Sequence, residues 1–590
     1  MININKLPNI LELPNTEKNF RVFAGPGAGK TTWLIDHLKR VLKESNRLSK
    51  TRKIACITYT NVAVEEIFNK LDCDKSRFDI STIHSFLYRN IVKPFSHLIA
   101  EDVNGEKLFN IDKLDGHDEH IPHSDRIRRW KVTIEQLNGK NYNYFNFSEN
   151  KAKMIAELSS LDYSFVDKNL ELIYRQNRGF SIPRKNGELW IYKKKYWVDG
   201  IMHHEDVLYF AYLIINRSPR VLEFVRNKFP YIFIDEFQDT TELQTWIIEK
   251  IAEERTKVGV IGDLAQSIYK FAGAKRCDFE NLKINDLQSY KLEKNHRSTQ
   301  KIIHFLNCLR DDICQECSEC TIEGCSVNIL IGPIKDAIQW IEKNNYNPIY
   351  VLTRKNESVE EIKMQRNLIA DDLLKKLYAI DSNYYRVKAL HSIFMGYKFY
   401  EKGYLKDAIK EVLKPLKYEG RGSITKLELR KIAIDIIDDI KTIETRNKNL
   451  FEYYSELLDN ISTIYKLKIG AKLTNRASAK SFYESTLISD ILRFIKVDTK
   501  SEDTIRTIHS SKGTQFDNIL VHFENLRDFE KYVFEAKDRL ESDEDDARIY
   551  YVGFSRAKET LFINIPEINN SSITKIQNFK IEYKILPESK

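Results

Sequence analysis

The chain predicts an α/β fold, parallel strands covered by helices on both faces, and three observations carry that prediction. Val22-Phe23-Ala24 is a hydrophobic strand end that runs through the glycine-rich turn Gly25-Pro26-Gly27-Ala28-Gly29 into Lys30-Thr31-Thr32, where a helix opens. Tyr231-Ile232-Phe233-Ile234 is a second apolar strand, and it ends in the acid pair Asp235-Glu236. Around both, strand-like runs alternate with helical ones, the pattern of a parallel sheet with a helix after each strand.

Composition narrows the class. The 590 residues leave room for about four domains. Hydrophobic residues at 42% and charged residues at 30% fit a soluble globular protein. There is no apolar run of roughly 18 residues or more, so no membrane span is expected. Met1-Ile2-Asn3-Ile4-Asn5 lacks the basic-then-apolar order of a secretory leader, and a cytoplasmic location is expected. A net charge of +8 admits nucleic acid as a partner without requiring it.

Taken in order, the stretch Ala24-Gly25-Pro26-Gly27-Ala28-Gly29-Lys30-Thr31-Thr32 is a phosphate cradle. Glycines turn backbone N–H groups inward, Lys30 reaches the outer phosphates and the Thr31 hydroxyl suits Mg²⁺. Lys53–Thr60 reads as the next buried strand, with Asn61–Ile67 opening a helix, and Ser81–Phe86 as a strand end followed by another helix. Ligands of such sheets sit at the carboxyl ends of the strands, which puts Thr58–Asn61 and Thr82–Phe86 on the working edge. From Ile91 to Arg217 the pattern becomes a mostly helical insertion. Within it Glu188–Trp197 has strand-like aromatics around three lysines, which suits either single-stranded nucleic acid or a solvated hairpin. At Asp235-Glu236 the first carboxylate is assigned to Mg²⁺ and the second to orienting or deprotonating the attacking water. In Val258–Ala274 another strand ends in a polar loop; Gln266 is placed to touch a γ-phosphate, and Tyr269 and Phe271 to expose rings to bases.

Together these stretches resemble the motifs of superfamily 1 helicases of the UvrD/Rep/PcrA type. Ala24–Thr32 resembles motif I, Ile57–Ile67 motif Ia, Thr82–Phe86 the Thr-Phe-His-Ser-Phe motif, Asp235–Thr240 motif II and Gly262–Ala274 motif III. Leu292–Thr299 resembles motif IV, Thr507–Asp517 motif V and Ile549–Lys558 motif VI, all in the family's order. The resemblance implies two RecA-like P-loop motor domains facing each other across ATP, each carrying a mainly helical inserted domain. The first motor would be 1–90 with 206–290 and its insertion 91–205; the second, 291–365 with 500–590 and its insertion 366–499.

The resemblance also implies roles. Lys30, Thr31, Asp235, Glu236 and Gln266 would act from the first motor and Arg297 and Arg556 from the second, with His296 and Gln515 on the nucleoside. Contacts to single-stranded or partly duplex DNA would come from Thr60, Asn61, His84, Phe86, Tyr269, Phe271, Thr507, His509, Ser510 and Lys512. Some positions depart from the family pattern. No Gln precedes Gln136 to read adenine, His296 replaces a Tyr, Gln515 replaces a Glu, and Phe271-Ala272 replaces Trp-Arg. The short form, with little chain after residue 558, resembles the GajB-type helicase subunit of Gabija anti-phage systems, which works with a nuclease partner. An autonomous repair or recombination helicase and a DNA-sensing ATPase subunit remain the alternatives.

Cys314, Cys317, Cys320 and Cys325 stand apart from all these motifs. Their spacing leaves two readings open, a Zn²⁺ or iron–sulfur site and a reduced, solvent-facing loop.

Overall fold

The computed structural model describes residues 4–6, 14–114, 116–117, 120, 122, 124–139, 154–175, 186–270, 273–274, 276–365, 377, 380–381, 383–418, 426–446, 448–463, 467–468, 472–473, 479–494, 504–542, 544–579 and 581–586. The chain forms two compact units, one of residues 1–354 with 507–590 and one of residues 355–506. Among the described residues no helix is long and apolar enough to cross a membrane.

The first unit holds two parallel sheets. Strands β1 (Ile4–Lys6), β2 (Phe20–Ala24), β3 (Ile54–Thr58) and β4 (Phe78–Thr82) are followed by an antiparallel hairpin, β5 (Leu161–Val166) and β6 (Asn169–Tyr174). Then come β7 (Tyr231–Ile234), β8 (Lys257–Gly262) and β9 (Gln288–Leu292). Seven of these make one sheet in the order β1-β9-β2-β8-β7-β3-β4, with every pairing parallel. All five residues of β2 and of β3 are buried, as a sheet covered on both faces demands. Alternate residues serve opposite faces: Ile54, Cys56, Tyr231 and Phe233 pack with the helix Lys30–Glu44, whereas Ala55, Ile57, Ile232 and Ile234 pack with the helix His204–Arg217.

The second sheet begins beyond the short parallel pair β10 (Lys294–Asn295) and β11 (Glu316–Cys317). Its strands are β12 (Asn328–Ile331) and β13 (Ile349–Thr353) and, past β14 (Lys417–Tyr418) and β15 (Leu467–Lys468) of the helical unit, β16 (Ile505–Thr507), β17 (Phe516–His522), β18 (Ala557–Ile565) and β19 (Glu582–Ile585). The order is β16-β13-β17-β18-β12-β19. Its core takes in Ala265 and Ile268, which belong to the loop after β8 of the first sheet. Full burial of Ile268, worth roughly 1.5–3 kcal/mol, therefore ties that loop to the second sheet. The unit 355–506 is helical, with Leu390, Ile393, Ile436, Ile440, Tyr453 and Leu457 in its core and a buried Arg386–Asp381 ion pair at 2.6 Å.

One expectation fails in the inserted region. Glu188–Trp197 is not a strand but lies in the helix Asn186–Trp197. Leu189, Tyr192 and Tyr196 recur at helical spacing and are all buried, and Lys193 is 1% exposed in an ion pair with Asp206 at 2.7 Å. The aromatics belong to the core, so this stretch offers no stacking platform. Nearby, Oε2 of Glu205 is sealed from solvent without a partner among the described residues, and burial pushes this carboxyl up to about 7.

Candidate active site

Because the first sheet is parallel, the loops after β2, β3, β7 and β8 emerge at one edge. The loop after β2 is the tightest. Gly27 and Gly29 sit at φ of +71° and +72°, backbone that side chains resist, and a Cβ on Gly27 would stand 2.4 Å from Oδ1 of Asn295. Lys30 opens the helix Lys30–Glu44, and its ammonium lies 3.2 Å from Glu236. Burial disfavours that charge, but Glu236, Asp263 and Asp235 outweigh it and hold Lys30 above an ordinary lysine.

Asp235 leaves β7 with its N–H bonded to the Ile57 carbonyl at 2.9 Å, which aligns the acid pair with the end of β3. Glu236 follows at φ +51°, a left-handed turn that swings its carboxylate toward Lys30, and Gln238 donates to it at 2.6 Å. Burial, then Glu236, pushes Asp235 up; Glu236 is half-buried, which disfavours its charge, yet Lys30 and Lys512 bring it below the usual carboxylate range. Asp239, also in the cleft wall, is pushed up to about 6 by burial and keeps Oδ1 without a partner among the described residues. A divalent cation fits this surplus of buried carboxylate, with Asp235 and the Thr31 hydroxyl both on the wall to hold it.

The opposite wall comes from the second half of the unit. His296 donates its N–H to the Gly27 carbonyl at 2.9 Å and is itself exposed at the mouth. Arg297 donates to Gln515 at 3.1 Å and to the Ser555 carbonyl at 2.9 Å, and Arg556 reaches the Gln266 side-chain oxygen. Among the described residues neither guanidinium has a carboxylate in salt-bridge range. Burial and the neighbouring Arg556 push Arg297 down to about 9. Two such cations on a cavity of about 350 Å³, facing a glycine loop, make a place for a polyphosphate.

With that geometry in place, family models match. The UvrD/REP helicase N-terminal domain matches residues 9–286, and the UvrD-like helicase C-terminal domain matches residues 477–567. The chain belongs to the UvrD-like superfamily 1 helicases, a family of ATP-dependent DNA helicases. Relatives of the helicase include a probable DNA helicase II homolog of Mycoplasma capricolum, 22% identical over 90% of this chain and 71% of that protein. The Gabija protein GajB of Bacillus cereus is 24% identical over 85% of this chain and 84% of its own length. The ATP-dependent DNA helicase PcrA of Staphylococcus aureus is 22% identical over 93% of this chain and 81% of its own.

The residues expected on a DNA strand are placed less uniformly in the helicase. Thr60 caps the helix Asn61–Lys70 by accepting from the Ala63 N–H at 3.2 Å, and Asn61 is exposed beside it. Thr507 similarly accepts from the Ser510 N–H at 3.3 Å, and His509 is half-buried in the same turn. His84 lies against His204 and near His117, and burial, then those two rings, pushes it down to about 3. Phe86 is a correction: it is fully buried, its ring 5.1 Å from that of Phe229, and has no face left for a base. Lys512 is another: its side chain is 9% exposed, paired with Asp239 at 2.5 Å and donating to the Gln266 carbonyl at 2.9 Å, so it belongs to the cleft. Phe271 lies outside the described residues.

Tyr59 was not foreseen. Its ring stacks on Tyr269 at 4.8 Å, with Lys512 over the other ring at 4.5 Å. Its place directly before Thr60 in the working-edge loop was the available signal. The cysteine segment also departs from one of its two readings. Cys314, Cys317, Cys320 and Cys325 are exposed, and among the described residues no group of three or more metal-binding side chains comes together. The segment is held instead by the β10–β11 pairing and by buried Gln315, which accepts from Asn295 at 2.6 Å and donates to Tyr551 at 3.1 Å.

Proposed function

We propose that the helicase hydrolyses ATP between two motors, residues 1–90 with 206–290 and residues 291–365 with 500–590, and steps 3′ to 5′ along single-stranded DNA. The observation that carries the split ATP site is the contact of Arg556 with Gln266 across the cleft, while the polarity is what the family resemblance implies. The glycine loop and Lys30 hold the phosphates. Glu236 orients the water whose oxygen bonds the γ-phosphorus as the bond to the β–γ bridging oxygen breaks, and Arg297 and Arg556 meet the charge that develops. Mg²⁺, held by Thr31 and Asp235, would screen the phosphate oxygens. Since catalytic groups come from both sides, turnover requires closure, and product release allows opening. Tyr59, Tyr269, Thr60, Asn61, Thr507 and Ser510 would line the DNA path. His296 would stack on the base with less area than a larger ring.

The likeness to GajB over most of both chains favours a defence role beside a nuclease partner. The equally long likeness to PcrA favours a second reading, an autonomous helicase. Steady-state ATPase with and without a single-stranded oligonucleotide tests the motor: stimulation of about tenfold or more is expected, and an unchanged rate sinks it. Purification from the native host tests the role, with a nuclease at fixed stoichiometry supporting defence and its absence supporting the autonomous enzyme.

A further inference from the structure

Arg310 follows the helix Gln300–Leu309 and is among the most buried cations of the chain, its side chain 1% exposed. It meets Asp263, which is 0% exposed and comes from the loop after β8, at 3.1 Å. It also holds Asp312 with two nitrogens, at 2.7 and 2.6 Å, and donates to the Tyr551 hydroxyl at 3.2 Å. Asp263 in turn accepts from the Ala265 N–H at 3.1 Å and from the Gln266 side-chain amide at 2.6 Å. The other end of that amide, its oxygen, takes Arg556. A carboxylate only accepts and a guanidinium only donates, so Gln266 has one workable orientation, NH₂ toward Asp263 and oxygen toward Arg556. Burying Asp263 as an anion requires a partner cation, since an unpaired buried carboxylate is strongly disfavoured. A neutral carboxyl could donate instead, and the amide could then turn its NH₂ against Arg556.

We propose that Arg310 is a positioning residue for ATP hydrolysis: it keeps Asp263 an acceptor, which sets the Gln266 amide and thereby seats Arg556. The proposal rests on the reading of the cleft as an ATPase site. Asp263 is 47 residues from Arg310 in sequence and Tyr551 is 241, so the arginine joins the loop after β8, its own helix end and the helix Asp545–Phe554 at one point.

The test is steady-state ATPase of the full chain, with and without a single-stranded oligonucleotide, for Arg310→Met, Arg310→Lys, Gln266→Ala and the double variant Arg310→Met/Gln266→Ala. Arg310→Met is expected to lower kcat about tenfold to hundredfold with KM for ATP within about twofold. Arg310→Lys is expected to recover part of the rate, and the double variant to be no slower than Gln266→Ala alone, because both remove one connected unit. Wild-type kcat in Arg310→Met, or a double variant that multiplies the two losses, overturns the proposal. Should Arg310→Met not fold, Tyr551→Phe removes one hydroxyl, and about a twofold to fivefold fall in kcat is expected; an unchanged kcat overturns the proposal there. Wild-type turnover that ignores DNA would sink the motor reading while leaving the Arg310 comparison readable on the basal rate.

Discussion

The phosphate end of the cleft and the loops assigned to DNA are built differently. At the phosphate end Lys30 is paired with Glu236, and Gln266 with Arg556, across large sequence separations, while burial works against the charge of both Lys30 and Arg556. In the DNA-side loops Thr60, Thr507 and Ser510 bond mainly within their own turns and stay accessible. On the proposed reading, chemistry at phosphorus calls for fixed atoms, which suits residues that are already paired with one another. On the same reading, a sliding strand calls for donors that form and break contacts at each step, which suits residues whose bonding only holds a local turn.

The largest expected effect breaks the locked side. Lys30→Ala should cut kcat about a thousandfold or more while single-stranded DNA binding, measured by fluorescence anisotropy, stays within about threefold; loss of DNA binding as well would erase the distinction between the two regions. Next, Tyr59→Ala should weaken single-stranded DNA binding about tenfold, the scale of one lost base stack, and leave the DNA-free ATPase rate within about twofold. Thr507→Ala should weaken binding only about twofold to fivefold, and the slope of log affinity against log salt should not change, since no cation is removed.

A further prediction lies outside both regions. The Glu205 carboxyl titrates near 7 in the folded chain and near the ordinary glutamate value when unfolded. Between those values the folded state holds the extra proton, so Glu205 weakens stability as pH rises through that window. Glu205→Gln should therefore raise the first thermal transition at pH 8, by about 1–3 kcal/mol in stability, and make little difference at pH 4.5. A variant that melts alike at both pH values would contradict this. Replacing Cys314, Cys317, Cys320 and Cys325 together by Ser should be the mildest change, with ATPase within about twofold and no metal lost on mass spectrometry of the intact protein.

What the sequence made legible follows the same division. The parallel α/β architecture and the residues around the phosphates could be read because a glycine turn, a lysine and a strand-end acid pair tolerate little change in spacing. Phe86 and Lys512 go onto DNA in the sequence because the resemblance carries whole motifs over by position, and a motif does not tell which of two adjacent side chains turns inward. Glu188–Trp197 misled through composition: alternating aromatics mask the helical spacing of Leu189, Tyr192 and Tyr196, and the burial of Lys193 depends on Asp206 in another helix. Arg310 left no signal, since all of its meaning lies in partners brought together by the fold.

The Tyr59–Tyr269 stack has a mechanical corollary. Lys512 lies over the Tyr269 ring while its ammonium is anchored to Asp239 and the Gln266 carbonyl. A base entering between the two rings would have to displace one of them, and a shift of Tyr269 would change its contact with that lysine. On the proposed reading, a displacement at the DNA-side rings would therefore be felt at Asp239 and the Gln266 carbonyl in the cleft wall through one side chain, that of Lys512.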